Sequence, residues 1–114
     1  MITLDYLYQI AGNDSTILNE LFSTLRKNLL ELPPEIQLAA QQQQWEQLRN
    51  AAHKLKSCVA YIGASELHQI LVEIEHNSSN SFSPIELEEK VKQVNDWANQ
   101  ILAELNKISR YSTE

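Results

Sequence analysis

A chain of 114 residues is long enough to form one domain with a buried core. Its composition, 43% hydrophobic and 21% charged, is typical of a folded globular protein and argues against a disordered one. The net charge of −6 argues against general nucleic-acid binding, because phosphate backbones require a basic protein surface.

Helical periodicity begins near the N-terminus. Residues 2–10 carry a short helical pattern, which the turn signal Gly12-Asn13-Asp14 ends. Asn13 or Asp14 can cap a second helix. Pro33 and Pro34 interrupt that helix, and we expect a kink or a short break there rather than a domain boundary. The apolar residues of the second helix, which repeat at helical spacing, are Leu18, Leu21, Phe22, Leu25, Leu29 and Leu32.

Three further helices are expected after a polar tract of glutamines at 41–44. Trp45 opens the third helix, and Gly63 ends it, since glycine readily adopts the backbone conformation found at helix C-termini. A fourth helix leads into a polar loop at 77–81. Ser83-Pro84-Ile85-Glu86 has the form of a capping box with proline at the first helical position, and it starts a last helix at 84–109. We therefore predict an all-α fold, an antiparallel four-helix bundle with a short N-terminal helix.

Residues 48–64 of the third helix place a histidine among small and basic side chains. At about 100° per residue, His53 points about 140° away from Leu48 and from the apolar stripe that Leu48 begins. The stripe consists of Leu48, Ala52, Leu55, Val59 and Ile62. The outer face beside His53 consists of Arg49, Lys56, Ser57 and Ala60. A partner could therefore approach this histidine closely.

Basic residues are concentrated around His53. Residues 47–65 contain three of the nine basic residues, Arg49, Lys54 and Lys56, and none of the fifteen acidic ones. Such a face is expected to bind an anion or an acidic partner surface. The plainer interpretation is a solvated surface histidine, and these neighbours argue against it.

The residues at 52–57, Ala-His-Lys-Leu-Lys-Ser, followed by Ile-Gly-Ala at 62–64, resemble the signature of histidine-containing phosphotransfer (HPt) domains. His53, Lys56 three residues later and Gly63 ten residues later match that signature in identity and spacing. Trp45, eight residues before the histidine, adds to the resemblance. Ser57 departs from the family pattern, which usually has glycine at this position. Serine is still small, and its hydroxyl could bond either a phosphoryl oxygen or a backbone carbonyl.

The resemblance implies a phosphocarrier of a two-component system. A receiver domain carrying an aspartyl phosphate would dock on the outer face, and the neutral imidazole of His53 would attack phosphorus to form phosphohistidine. Lys56 would offset the charge of the phosphoryl group, with Arg49 and Lys54 as weaker helpers. The partners would be receiver domains and, through them, a hybrid histidine kinase. Further residues of the binding surface would be Ser57, Ala60 and Gly63.

Glu75 lies where some members of that family place a glutamine or glutamate near the histidine. It is either the acceptor for the ring nitrogen that is not phosphorylated or a plain surface carboxylate. Magnesium would belong to the receiver, so no cofactor is expected in this chain. The sequence has no glycine-rich nucleotide loop, which indicates a carrier that does not bind or hydrolyse ATP rather than an enzyme. His68 and His76 lack a paired ligand spacing, so no metal site is expected.

Two other functions compete with this interpretation. The first is a non-phosphorylated helical adaptor or dimerisation bundle that binds receiver-like partners and in which His53 is incidental. The second is a metal or redox bundle, which would need two inward-facing Glu-x-x-His pairs, whereas only residues 73–76 have that spacing. Tyr61 is expected to be partly buried in the core rather than to contact a partner.

The single cysteine, Cys58, excludes an internal disulfide and is interpreted as a small core residue in a reducing cytoplasm. No apolar run approaches the length of about 20 residues that a membrane span requires, and the N-terminus lacks the layout of a signal peptide. We therefore expect a cytoplasmic protein without membrane insertion. Residues 1–114 would form a single domain, either as a whole protein or as part of a longer one.

Overall fold

The computed structural model describes residues 5–12, 14–77 and 82–112. These residues form a short helix, α1 (Asp5–Ala11), and four longer ones, α2 (Ser15–Gln41), α3 (Trp45–Val59), α4 (Ser65–Asn77) and α5 (Pro84–Ser112). A 3-10 turn at Ala60–Ile62 follows α3, and no strand occurs in the described ranges. The predicted all-helical bundle is confirmed, and the antiparallel direction of its helices stays a prediction.

Side-chain caps start two of the long helices. The carboxylate of Asp14 accepts hydrogen bonds from the amides of Thr16 (2.9 Å) and Ile17 (3.2 Å) at the beginning of α2. The hydroxyl of Ser83 accepts one from the amide of Glu86 (3.2 Å) at the beginning of α5, as the capping pattern predicts. The alternative cap at residue 13 and residues 78–81 of the predicted loop at 77–81 lie outside the described residues, whereas Asn77 is not in a loop but is the last residue of α4.

The chain leaves α3 through a left-handed residue. Gly63 has a φ of 65°, a conformation that suits glycine because it lacks a Cβ atom. The 3-10 turn before Gly63 keeps Ile62 fully buried, so the apolar stripe of α3 extends past the last residue of the helix. Gly63 therefore ends the helical segment as predicted, one tight turn after α3 itself.

The predicted break at Pro33 and Pro34 is wrong, because α2 is continuous across both residues. Proline has no amide hydrogen, so the backbone carbonyls four residues earlier cannot receive their usual helical hydrogen bonds. The side chain of Pro33 is buried, and Leu29 and Ile36 on either side of the two prolines are buried as well. Tertiary packing of one apolar face thus keeps the segment helical. The expected kink stays a prediction.

The four long helices enclose one core. α2 packs against α3 and α5, and α4 packs against the same two helices, while α1 lies against α2 and the 3-10 turn. Trp45 and Trp97 are partly buried at the edge of this core. Each residue of the predicted α3 stripe is 0% exposed: Leu48, Ala52, Leu55, Val59 and Ile62. Within the described residues, no helix is both long and apolar enough to span a membrane.

Replacement of Leu55 by alanine should lower the free energy of unfolding by about 2–5 kcal/mol, because it opens a cavity where the side chain is fully buried. Urea denaturation followed by circular dichroism measures this change. Leu30→Ala is the matched control, since Leu30 is 58% exposed on α2 and its loss should cost no more than about 0.5 kcal/mol. Equal effects of the two substitutions would contradict the packing described for α3.

Candidate functional site

α3 presents His53 to solvent and Lys56 to the neighbouring helix. The side chain of His53 is 61% exposed, as expected for a residue opposite the buried stripe. Lys56, three residues later, is 21% exposed because its side chain lies toward α4. The two functional groups therefore share one face of α3 but differ in their access to water.

Glu75 of α4 contacts both of these side chains. Its Oε1 atom lies 2.6 Å from Nδ1 of His53, and its Oε2 atom lies 2.5 Å from Nζ of Lys56. One carboxylate thus holds the ring and the lysine at the same time, across the junction of α3 and α4. We refer to these three residues as the His53–Lys56–Glu75 cluster.

This geometry assigns different roles to the two ring nitrogens of His53. An ionised carboxylate can only accept hydrogen bonds, so Nδ1 of the neutral ring must carry the proton that Glu75 accepts. The free lone pair is then on Nε2. Nε2 is therefore the nucleophilic atom of the neutral imidazole.

The net effect of the surroundings lowers the pKa of Glu75. Partial burial is the largest single influence and raises the pKa, but the hydrogen bonds and charges of Lys56 and His53 together outweigh it. The side chain of Glu75 is 16% exposed, so these contacts are only partly screened by water. At neutral pH an ionised carboxylate consequently faces the ring and the lysine.

The hydroxyl of Ser57 is directed into its own helix. Its Oγ atom donates a hydrogen bond to the backbone carbonyl of His53 at 3.1 Å. The sequence leaves a phosphoryl oxygen and a backbone carbonyl as possible partners of this hydroxyl, and in the structure its partner is the carbonyl. Ser57 is exposed, and so are Ala60 and Gly63 farther along the same surface.

The other two basic residues stand apart from the cluster. Arg49 and Lys54 are both exposed on α3. Within the part of the chain that the structure describes, no hydrogen bond or ion pair joins either of them to His53, Lys56 or Glu75. Their positive charges are therefore available to a partner.

A groove with a volume of about 290 Å³ lies between α2 and α3, and Lys54 and Ser57 of the outer surface of α3 are among its lining residues. Tyr61 lines it and is 45% exposed, so the expected burial of this tyrosine is wrong. Thirteen residues after Leu48, Tyr61 is about 140° from the stripe on the side opposite to His53, and the tight turn at Ala60–Ile62 buries Ile62 instead. The groove is lined by Leu21, Thr24, Leu25, Asn28, Lys54, Ser57, Cys58 and Tyr61.

Cys58 and Asn28 connect the two helices that border this groove. The amide of Asn28 donates a hydrogen bond to Sγ of Cys58 at 3.6 Å. Burial raises the pKa of the Cys58 thiol, and this bond offsets part of the effect. Cys58 packs against the core as a partly buried residue, as the sequence indicates. Asn28 was not predicted, because a contact across 30 residues has no local sequence signal.

No group of three or more histidine, cysteine, aspartate or glutamate side chains within the described ranges could hold a metal ion. The Glu73 and His76 pair singled out by its spacing does not belong to such a group.

A family model described as "Hpt domain" matches residues 17–109 of the chain. The matched range runs from the third residue of α2 to residue 109 of α5, and it includes every residue of the cluster. Comparisons with curated proteins and with solved structures give no match.

Replacement of Glu75 by glutamine should make the stability of the protein less sensitive to acid. Because the folded-state pKa of Glu75 lies below its ordinary value of 4.5, the ionised carboxylate stabilises the fold above that pH, and the contribution is lost as the pH falls through the folded-state pKa. The difference in unfolding free energy between wild type and Glu75→Gln should therefore be present near neutral pH and shrink in acid. Urea denaturation from about pH 7 to about pH 3 measures it.

Glu89→Gln is the control for this experiment, because it removes an exposed carboxylate of α5 that lies outside the cluster. A difference between wild type and Glu75→Gln that stays constant over the whole pH range would contradict the lowered pKa of Glu75.

Proposed function

The chain belongs to the Hpt domain family, and we propose that it carries a phosphoryl group on His53 between receiver domains of a phosphorelay. Hpt domains act in phosphorelay signalling with receiver domains, as phosphocarriers rather than as enzymes. The observation that supports the assignment to His53 is its contact with Glu75. That contact holds an exposed imidazole by Nδ1 and leaves Nε2 free for reaction.

The transfer step follows from the two ring nitrogens. The lone pair of Nε2 attacks the phosphorus of an aspartyl phosphate on the receiver, opposite the bond to the aspartyl oxygen. The nitrogen–phosphorus bond forms as the phosphorus–oxygen bond breaks, and the electron pair leaves with the receiver's carboxylate. Nδ1 keeps its proton, so the phosphorylated ring is positively charged. Glu75, which accepts the Nδ1 hydrogen bond, stabilises that charge.

Lys56 acts on the phosphoryl group. Its ammonium is held 2.5 Å from Glu75 on the same face as His53. It therefore only has to exchange Glu75 for the phosphoryl group when that group reaches Nε2. A cation placed beforehand where charge develops contributes more than one that has to be ordered during the reaction. Lys56 is therefore the main electrostatic contributor in the proposal.

The remaining predicted residues form the docking surface. Arg49 and Lys54 attract the acidic surface of the receiver. Ser57, Ala60 and Gly63 have small side chains or none, so the receiver can approach the outer face closely. A hybrid histidine kinase would supply the phosphoryl group through its receiver domain. The proposed setting for this relay is the cytoplasm, and this chain contributes no cofactor to it.

Substitution of His53 by glutamine should abolish labelling of this protein by a phosphorylated receiver domain, because the nucleophilic nitrogen is lost. Incubation with a radiolabelled phosphoreceiver, followed by electrophoresis, measures the transfer. The label on the wild type should be labile in acid and stable in alkali, as expected for a phosphorus–nitrogen bond. Nitrogen chemical shifts of the phosphorylated ring should assign the phosphoryl group to Nε2.

His76→Gln is the control, since it removes an exposed histidine at the end of α4 and should be labelled like the wild type. Equal labelling of wild type and His53→Gln would move the acceptor to another residue. A folded wild type that no receiver labels would favour the adaptor function, in which His53 is incidental.

Replacement of Lys56 by glutamine should slow the transfer about 100-fold while His53 still accepts the label, because the positive charge beside the phosphoryl group is lost. Rapid-quench measurement of the single-turnover rate gives this ratio. Lys92→Gln removes an exposed lysine of α5 and controls for the change in net charge. If the two substitutions slow transfer equally, Lys56 has no local role.

A further inference from the structure

Ser57 occupies the outer face of α3 one turn after His53. Residues four apart on a helix are neighbours, with about 5–6 Å between their Cβ atoms, so a partner that reaches the His53 ring also covers Ser57. The hydroxyl of Ser57 is already bonded to the His53 carbonyl at 3.1 Å. The hydroxyl hydrogen is therefore already used, and a partner contacts Ser57 through the volume of its side chain.

The two sides of His53 differ in how they can be approached. On the side of α4, Glu75 holds Nδ1 at 2.6 Å and occupies the space next to that nitrogen. On the side of α2 the groove of about 290 Å³ is open, and Ser57 is one of its lining residues. Ser57 thus belongs both to the face around the ring and to the open side of the site.

We propose that Ser57 is a specificity-determining residue, whose side chain decides which receiver domains can bring their phosphoryl group onto His53. This inference rests on the proposed function. In-line transfer requires the reacting atoms to approach to about 3–3.5 Å, so a docked receiver has little freedom to shift around a side chain at position 57. A receiver with space for the Cβ and Oγ atoms can react, and one whose own atoms occupy that space is held away from Nε2.

Exclusion of this kind discriminates by size. Small differences in volume at a closely packed contact change kcat/KM by about 10- to 200-fold. Because the Ser57 hydroxyl keeps its bond to the His53 carbonyl, docking buries no unsatisfied donor and polarity adds little to the preference. The side chain therefore acts mainly against receivers that do not fit.

The test compares kcat/KM for phosphotransfer from a panel of phosphorylated receiver domains to the wild type, Ser57→Gly and Ser57→Cys. Ser57→Gly should raise kcat/KM about tenfold for receivers that transfer poorly to the wild type and change the best donor by less than about threefold. Ser57→Cys places a larger atom on Cβ and forms a weaker hydrogen bond, so it should lower kcat/KM further for the receivers that already transfer poorly to the wild type.

Glycine also weakens a helix, so Gln93→Gly, at an exposed position inside α5, is measured in parallel. It should leave the order of preference unchanged. Unchanged ratios between receivers for Ser57→Gly, or a change of the same size for Gln93→Gly, would overturn the inference while the proposed function stands. If no receiver labels the wild type, the proposed function fails and this inference fails with it.

Discussion

The burial of the α3 stripe determines where His53 points. Five side chains on one side of the helix are fully buried, so α3 cannot rotate about its axis without exposing several of them to water. His53 lies on the opposite side, so this constraint leaves its side chain 61% exposed. The same orientation of α3 places Lys56 at the boundary with α4. The exposure of the face that carries His53 is therefore a consequence of the core.

The second constraint is the orientation of α4, which gives Glu75 to the site. Ile74 is fully buried, Glu73 forms an ion pair of 2.6 Å with Lys90 of α5, and Glu75 faces α3. Side chains two residues apart on a helix point about 160° apart. One orientation of α4 about its axis therefore lets Glu73 pair with α5 while Glu75 contacts α3. The hydrogen bond from Lys90 is the main cause of the lowered pKa of Glu73. A partly exposed pair of this kind adds little to stability, but it favours the same orientation of α4 as the core does.

These constraints explain which features could be predicted from the sequence. The helices, the stripe and the exposure of His53 follow from local periodicity, which the chain carries at every turn. The contact of Glu75 with His53 spans 22 residues and depends on how α4 is placed, so the sequence left its role undecided between two interpretations. The expected break at Pro33 failed for a related reason, since proline disfavours a helix locally while burial of its ring favours continuity. The residue pattern of a single helix does not determine its contacts with other helices.

In the proposed phosphotransfer, some charges of the site attract the partner and others act on the phosphoryl group. Before transfer, the charges of Lys56 and Glu75 cancel, so the cluster itself contributes little net attraction to an approaching phosphorylated partner. Arg49 and Lys54, exposed on the same helix, carry the uncompensated positive charge, and salt screens it beyond about 8–10 Å. They can therefore favour the encounter without ordering the reacting atoms. In the proposed transfer, Lys56, at 21% exposure, is better placed to stabilise the phosphoryl group, because its charge would act in a less polar environment once that group competes with Glu75 for it.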